Sequence, residues 1–167
     1  YKYPASDKIY EVKIWREKTN IRLDNDALAV TNLNRLLKQI KFKDQIFADA
    51  NAALSQAFLN LEEKDSAVAK LKLAKEFTKQ DEEKARYDFI IGQIYQELGY
   101  KDSAIASYES VIKMNRKSPR EYIIQAYVKK AQMFDYEKDD VAVVEKKYEE
   151  LLADRENRPF LGPIYHQ

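Results

Sequence analysis

The sequence predicts an all-α fold, an α-solenoid of about four antiparallel helix hairpins plus the start of a fifth. An internal repeat is the first reason. The string Lys-Asp-Ser-Ala-Val-Ala at residues 64–69 returns, with isoleucine for valine, at residues 101–106. Near-identical strings at intervals of about 20 to 50 residues indicate stacked supersecondary units.

Composition is the second reason for predicting helices. The 167 residues include only three glycines and four prolines, which is too few for the many turns of a β-sandwich or barrel. The chain is 45% hydrophobic and 34% charged, so it has enough apolar side chains for a core and too many charges for a membrane protein. No apolar run approaches the roughly 18 residues of a membrane helix, and no direct membrane span is predicted.

The repeat extends beyond the echoed string. The same interval separates Ser55 from Gly92, Phe58 from Tyr95 and Leu71 from Tyr108. The first pair consists of small residues, the second of aromatic residues and the third of large core residues. A small residue on the first helix of a hairpin allows close approach of the second helix, and the larger side chains fill the adjoining space. The echoed string is therefore predicted to begin the second helix, with Ala67 and Ala104 at the close contact.

The repeat also sets the predicted boundaries. We expect a single array over 1–167, excised from a longer protein, with units at about 5–42, 44–79, 81–116 and 118–156 and a partial unit at 158–167. First helices are expected to begin near Ala5, Asp44, Asp81, Pro119 and Pro159.

Capping residues support these starts. Ser118-Pro119-Arg120-Glu121 is typical of a capping box, in which Ser118 is the N-cap and Pro119 the first helical residue. Asp65, Asp81 and Asp102 are further candidate caps, since each carboxylate can accept an unpaired backbone N–H.

The first unit fits the repeat less well than the others. Arg16, Glu17 and Lys18 stand where small or apolar residues are expected. Ile14 and Trp15 are predicted to supply the core contacts of this helix, with the repeat pattern shifted along the sequence.

The sequence offers no catalytic constellation, and we expect a protein that is not an enzyme and that uses no metal or cofactor. It lacks cysteine, and its only histidine, His166, is the penultimate residue. No glycine-rich phosphate loop or hydrolase motif is present. A net charge of +1 favours no polyanionic partner, so no nucleic acid is expected.

Two turns are basic, one containing Arg116, Lys117 and Arg120 and the other Arg155 and Arg158. The preferred interpretation is that these cations offset helix dipoles. The alternative is an edge that contacts phosphate or an acidic partner.

The clearest unit resembles the tetratricopeptide repeat. The positions that this pattern reserves for Trp, Leu, Gly and Tyr, and then for Ala-x3-Phe, are held here by Asp88, Ile91, Gly92, Tyr95, Ala104 and Tyr108. Asp88 departs from the pattern, which has an aromatic residue there.

The resemblance implies that the first helices line a concave, protein-binding face. When the sequence is aligned with the repeat in this way, the candidate partner-binding residues are Asp49, Gln56, Arg86, Phe89, Gln93, Gln125 and Gln132. Such an amide-rich mixture suits an extended or helical peptide. Ala52, Gln56 and Phe89 do not reproduce the carboxylate clamp of chaperone-binding members. Other candidate surface aromatics are Tyr100, Tyr122 and Tyr136.

Three strings carry a narrower resemblance. Tyr3-Pro4-Ala5-Ser6 is similar to a junction common in bacterial envelope tetratricopeptide proteins, and residues 130–135 and 154–160 are similar to segments of Bacteroidota tetratricopeptide lipoproteins of gliding motility and type IX secretion. The likeness implies an envelope location on the periplasmic side of the outer membrane, secretion-machinery partners, and a lipid anchor upstream of Tyr1. A cytoplasmic location stays open.

The sequence therefore predicts a non-enzymatic protein-interaction scaffold of an envelope lipoprotein. Two alternatives stay open. The array could be a structural spacer that binds nothing, or it could recruit substrate for an enzyme whose catalytic domain lies elsewhere in a longer chain.

Overall fold

The computed structural model describes residues 8–135, 140–160 and 162, and its regular structure in these ranges is helical, without strands. This confirms the all-α prediction. The helices are α1 Ile9–Arg22, α2 Asp26–Leu37, α3 Gln45–Asn60, α4 Lys64–Phe77, α5 Asp81–Glu97, α6 Lys101–Met114, α7 Arg120–Ala131 and α8 Val141–Ala153, with 3-10 helices at Asn115–Lys117 and Arg155–Phe160.

The helices form two compact units, Tyr1–Tyr87 and Asp88–Gln167, and the division falls within α5. In the first unit, α1, α2 and α3 share a core whose buried members are Ile14, Leu33, Leu36, Ala50, Ala53 and Leu54. Alanines at the helix contacts let the backbones approach, while each buried leucine contributes about 2 kcal/mol through removal from water.

The second unit has two smaller cores. One joins Phe89 of α5 to α6 and α7 through Ala104, Tyr108, Val111 and Ala126. The other joins Ile124 of α7 to Leu151 of α8, with Tyr127, Tyr148, Leu152 and Phe160 packed beside them.

The echoed strings begin helices as predicted. Lys64 is the first residue of α4 and Lys101 is the first of α6, and Ala67 and Ala104 are fully buried. The turns before them also match, because Glu62 and Gly99, which are equivalent in the repeat, both adopt positive φ, 60° and 78°. A left-handed residue at this place closes the preceding helix, and glycine adopts it without strain.

Gly92 lies at a close contact between α5 and α6. A Cβ built on it would be 2.6 Å from Cε1 of Tyr108, which is well inside van der Waals contact. Tyr108 is fully buried, and its hydroxyl donates to Oε1 of Gln96 at 3.0 Å. The small residue predicted at this position is therefore required by the packed tyrosine ring.

The helix expected to begin near Asp44 does begin there, but the predicted caps Asp65, Asp81 and Asp102 are not N-cap residues. Asp44 is the N-cap of α3 and accepts from the backbone N of Ile46 at 3.0 Å. Asp65 and Asp102 instead lie in the first turns of their helices, where a negative charge still offsets the dipole. Asp81 is the first residue of α5 and lies in the same kind of position.

The predicted capping box at the start of α7 is wrong. Pro119, not Ser118, is the N-cap residue, and no side chain caps this end. The Ser118 hydroxyl donates to the Pro119 carbonyl at 3.2 Å and does not cap the helix.

The core residues of α1 differ from those predicted. Ile14 is buried as predicted, but Trp15 is 61% exposed and does not belong to the core. Glu17 is the unexpected core residue, only 1% exposed. Its carboxylate accepts from Nε of Arg16 at 2.6 Å, from Asn20 at 2.7 Å and from Asn32 of α2 at 3.0 Å, so the buried charge is fully partnered.

One of the predicted basic residues is part of an ion pair that closes the second unit. Arg120, at the start of α7, donates to the carboxylate of Asp154 and, through Nε, to Oδ1 of Asn157 at 2.6 Å. Asn157 is fully buried and donates to the carbonyl of Leu151 at 2.7 Å. Arg120 therefore holds the turn after α8 against α7 and is not part of an open basic edge.

Replacing Arg120 with alanine is expected to lower the free energy of unfolding by about 1 to 2 kcal/mol, because Asp154 and buried Asn157 both lose their donor. Urea denaturation followed by circular dichroism measures this. Arg116→Ala is the matched control, since Arg116 is exposed, and it should change stability by less than about 0.5 kcal/mol. Equal effects of the two changes would contradict the role of Arg120.

Some predictions concern positions outside the described residues, namely the helix start near Ala5, the string at residues 3–6, Tyr136, and His166. Pro159 lies inside the 3-10 helix Arg155–Phe160. Apart from residue 162, the continuation of the predicted fifth unit also lies outside the described part of the chain.

Candidate functional site

The candidate contact residues of the first unit lie on α3 and α5. Asp49 is half-buried, and Gln56, seven residues later on the same face of α3, is exposed and donates to Asn60 at 2.9 Å. Arg86 of α5 is exposed. These positions are accessible or partly accessible within their unit, and the contacts predicted for them stay predictions.

Asp49 belongs to a hydrogen-bonded bridge between α3 and α5. The side-chain amide of Gln45 donates to Oδ1 of Asp49 and to Oε2 of Glu83, at 2.9 Å in both cases. The Thr78 hydroxyl also contacts Glu83. Burial raises the pKa of Asp49, the Glu83 and Glu11 carboxylates raise it further, and the Gln45 hydrogen bond and Lys18 act in the opposite direction. The bridge thus keeps two carboxylates close together at one end of the unit.

The candidate residues of the second unit differ in exposure. Phe89 is 9% exposed, and its ring centre lies 5.7 Å from that of Tyr108 and 5.5 Å from that of Tyr122. It therefore packs in the core, which leaves little of the ring for a partner. Gln93 and Gln125 are half-buried, and Gln132 is exposed at the end of α7.

The predicted surface tyrosines also differ. Tyr100 is exposed and stands 6.1 Å from Tyr95, measured between ring centres. Tyr122 is half-buried against Phe89.

A groove lies between α6, α7 and α8 in the second unit. Its volume is about 410 Å³. The walls are mostly apolar and aromatic, formed by Ile105, Tyr127, Ala131, Met133, Phe134, Val143, Val144, Tyr148 and Leu151, with Glu109, Lys130, Asp140 and Lys147 among them. We call this feature the α6–α8 groove.

The two lysines of the α6–α8 groove are paired with carboxylates, while Asp140 accepts from the backbone N of Ala142 at 2.9 Å. Lys130 donates to Glu109 at 2.6 Å, a hydrogen bond that lowers the pKa of Glu109. Lys147 donates to Glu150 at 2.9 Å, which raises the pKa of Lys147, and its ammonium lies 5.4 Å from the ring centre of Tyr127. Since each ammonium already has a carboxylate partner, the groove offers apolar surface and little uncompensated charge.

Two surface features were missed at the level of sequence. One is the exposed Trp15, which precedes Ala52 by the repeat interval, just as Val12 precedes Asp49. Extending the repeat alignment into the first unit would have placed Trp15 and Val12 on the surface. The α6–α8 groove has no comparable signal, because it depends on how far α8 stands from α7.

Across residues 8–135 and 140–160, no three histidine, cysteine or carboxylate side chains lie close enough to hold a metal ion. No helix in the same ranges is both long enough and apolar enough to cross a membrane.

Comparison with known families identifies the repeat. A family model described as tetratricopeptide repeat matches residues 85–118, which comprise most of α5, α6 and the 3-10 helix after it. These residues are similar to a tetratricopeptide repeat. No curated protein matches the chain.

The tetratricopeptide repeat contains the close contact between Gly92 and Tyr108 that the packing requires. Its one departure from the pattern, Asp88, is buried and accepts a hydrogen bond from the Ser110 hydroxyl of α6 at 2.6 Å. A polar contact between the two helices therefore replaces the packing of the usual aromatic residue. Repeats of this kind are typical of protein-interaction scaffolds.

Proposed function

We propose that this chain is a non-enzymatic protein-interaction scaffold whose α6–α8 groove binds an uncharged, apolar segment of a partner protein. The groove is the observation that carries the proposal. Its volume of about 410 Å³ accommodates a few side chains, and aromatic and methionine walls adapt to branched apolar groups. The tetratricopeptide repeat at residues 85–118 supports the same class of function.

The charge pattern selects the occupant. A charged partner side chain would have to compete with the Lys130–Glu109 and Lys147–Glu150 pairs, while a neutral apolar segment can bury itself without breaking either. We therefore expect leucine, isoleucine or valine side chains in the groove, flanked by uncharged residues.

Two valines on α8 provide a matched test. Val143 lines the groove and is 65% exposed, whereas Val141 is 45% exposed and is not among the lining residues. Val143→Lys is expected to weaken binding of a synthetic leucine-rich neutral peptide by about tenfold or more, because it places an unpaired charge in an apolar site. Val141→Lys should change the affinity by less than about twofold. Isothermal titration calorimetry measures both.

Several results would contradict the proposal that the α6–α8 groove binds a neutral apolar segment. One is equal binding of the peptide to the two variants, and another is binding of a matched serine-rich peptide as tightly as the leucine-rich one. If the free chain instead dimerises and Val143→Lys abolishes the dimer in sedimentation equilibrium, then a second copy occupies the groove.

We further propose that the scaffold belongs to an envelope lipoprotein on the periplasmic side of the outer membrane, supporting type IX secretion and gliding motility. Resemblance of the three short strings supports this. Residues 130–135 end α7 and contribute Lys130, Ala131, Met133 and Phe134 to the groove. Residues 154–160 include Asp154 and Asn157, which bind Arg120. Partners would then be secretion-machinery proteins.

The gene itself tests this narrower proposal. Reading the coding sequence upstream of Tyr1 is expected to reveal a signal segment followed by a lipidation cysteine. Fractionation of native cells should then place the full protein in the outer membrane. A start codon without such a segment, together with recovery in the cytoplasm, would contradict it and leave the protein-binding proposal standing.

A further inference from the structure

A small pocket lies between α1 and α2 in the first unit. Its volume is about 180 Å³. This is below the roughly 300 Å³ of small-molecule sites, so the pocket suits a single inserted side chain. The lining residues are Lys13, Arg16, Glu17, Asn32, Arg35, Leu36 and Gln39. We call this feature the α1–α2 pocket.

Two hydrogen bonds join the walls of the α1–α2 pocket. Nζ of Lys13 on α1 donates to Oε1 of Gln39 at 3.1 Å, and Nδ2 of Asn32 on α2 donates to Oε2 of Glu17 at 3.0 Å. Arg35 follows Asn32 by three residues and precedes Gln39 by four, so the three share one side of α2. Lys13 and Arg35 therefore line the same space from opposite helices.

The charges that line the pocket do not cancel. Arg16 is paired with Glu17, to which its Nε donates at 2.6 Å. Lys13 donates to the neutral Gln39 amide, and its ammonium lies 5.7 Å from the ring centre of Tyr10. Arg35 is exposed and makes no hydrogen bond or ion pair with the described residues. The positive charges of Lys13 and Arg35 therefore remain after Arg16 and Glu17 are paired.

The other charged groups nearby do not remove this surplus. Glu11 lies about 200° around α1 from Lys13, and its charge acts on Asp49 of α3. Asp24 and Asp26 lie at the turn that joins the two helices, about 12 Å or more along the axes from the pocket cations, a distance at which salt screens them. The remaining charged residues of α1, α2 and their caps are all positive, namely Lys8, Lys18, Arg22 and Lys38. Residues 1–7, outside the described part of the chain, contain one lysine and one aspartate.

The repeat shows that the charges of the α1 wall are unusual. The counterparts of Lys13, Arg16 and Glu17 one repeat later are Ala50, Ala53 and Leu54. These three residues are buried in the core that α3 shares with α1 and α2. A further hairpin packed in that manner on α1 would bury Lys13 and Arg16, at a cost of several kcal/mol for each uncompensated charge. The wall is therefore suited to a charged ligand and not to another repeat.

We infer that the α1–α2 pocket binds one acidic side chain, a glutamate or aspartate, of a partner protein. The Arg35 guanidinium offers two parallel N–H donors to a carboxylate, and the Lys13 ammonium has donors left after Gln39. Charge complementarity selects this group over a neutral or basic one. The inference rests on the proposal that the chain binds proteins, but it concerns a different unit from the α6–α8 groove.

A synthetic peptide of alternating glutamate and serine tests the pocket. Its ends are acetylated and amidated, so that its side chains carry its only carboxylates. Isothermal titration calorimetry is expected to show binding that weakens with added salt, since exposed charges are screened. A matched peptide with glutamine in place of glutamate is expected to bind about tenfold more weakly or not at all.

Matched variants separate the pocket from general attraction to cations. Arg35→Glu is expected to weaken binding of the glutamate peptide by about tenfold or more. Lys72→Glu is the control, since Lys72 follows Arg35 by the repeat interval and is also exposed, but its repeat has alanines in place of Lys13 and Arg16. It should change the affinity by less than about twofold. Circular dichroism shows whether both variants keep the helical fold.

The outcomes distinguish this inference from the proposed function. Equal effects of Arg35→Glu and Lys72→Glu, or equal binding of the glutamate and glutamine peptides, would overturn it. Binding of a ten-residue oligothymidine as tightly as the glutamate peptide would also overturn it, because the site would then attract any polyanion. If Arg35→Glu has no effect while Val143→Lys still weakens the neutral peptide, this inference is wrong and the groove proposal survives. The reverse result would leave the α1–α2 pocket standing and remove the groove.

Discussion

Replacing Glu17 with alanine is expected to lower the free energy of unfolding by about 3 kcal/mol, measured by urea denaturation of the protein. The carboxylate is 1% exposed and accepts from Arg16, Asn20 and Asn32. Its removal leaves two amides and a guanidinium without their acceptor and opens a cavity between α1 and α2. The loss therefore combines missing hydrogen bonds with lost packing.

Two controls identify the cause. Glu17→Gln keeps the volume but turns one acceptor oxygen into a donor, and we expect about 2 kcal/mol of destabilisation. Glu11→Ala, on the exposed side of the same helix, should cost less than about 0.5 kcal/mol. If Glu17→Ala were no worse than Glu11→Ala, the buried network would contribute nothing to stability.

Gly92→Ser is expected to destabilise the second unit by about 2 kcal/mol. Its Cβ would meet the Tyr108 ring at 2.6 Å, and the ring cannot move away because it is fully buried and its hydroxyl is bonded to Gln96. Serine is a better helix former than glycine by about 0.5 kcal/mol, which offsets only part of the clash. Thermal unfolding followed by circular dichroism measures the change.

The preceding repeat supplies the rescue. The positions equivalent to Gly92 and Tyr108 hold Ser55 and Leu71, and both are buried in the first unit. In a Tyr108→Leu background, Gly92→Ser should therefore be neutral or slightly stabilising, a coupling of about 2 kcal/mol in the double-mutant cycle. Additive effects of the two substitutions would show that the ring contact is not the reason for glycine.

The fold was predictable from the sequence because its signals are local or repeated. Lys64 and Lys101 begin helices where the echoed strings placed them, and Ala67 and Ala104 are fully buried. The caps were less predictable, since Ser118 has the right residue type but its hydroxyl bonds the Pro119 carbonyl. Capping depends on one torsion angle, which residue type alone does not determine.

The candidate sites were less predictable than the fold. The interval of the repeat places Trp15 with Ala52, but its aromatic character favoured a core assignment, and only its position on the outer side of α1 shows the exposure. Phe89 is the opposite case, since its place in the repeat indicated a surface and the rings of Tyr108 and Tyr122 enclose it. Side chains at equivalent positions diverge because their neighbours on adjacent helices differ.

By itself, the sequence determined that the chain is helical, where its clearest hairpins begin, and that Gly92 must be small. These properties depend on backbone propensity and on spacing along the chain. Tertiary structure alone decided that Glu17 is buried with three donors, that Arg120 binds Asp154 and Asn157, and that α7 and α8 leave an apolar groove. Each of these includes a contact between different helices or between a helix and a turn, and the distances and desolvation arise only when these elements pack.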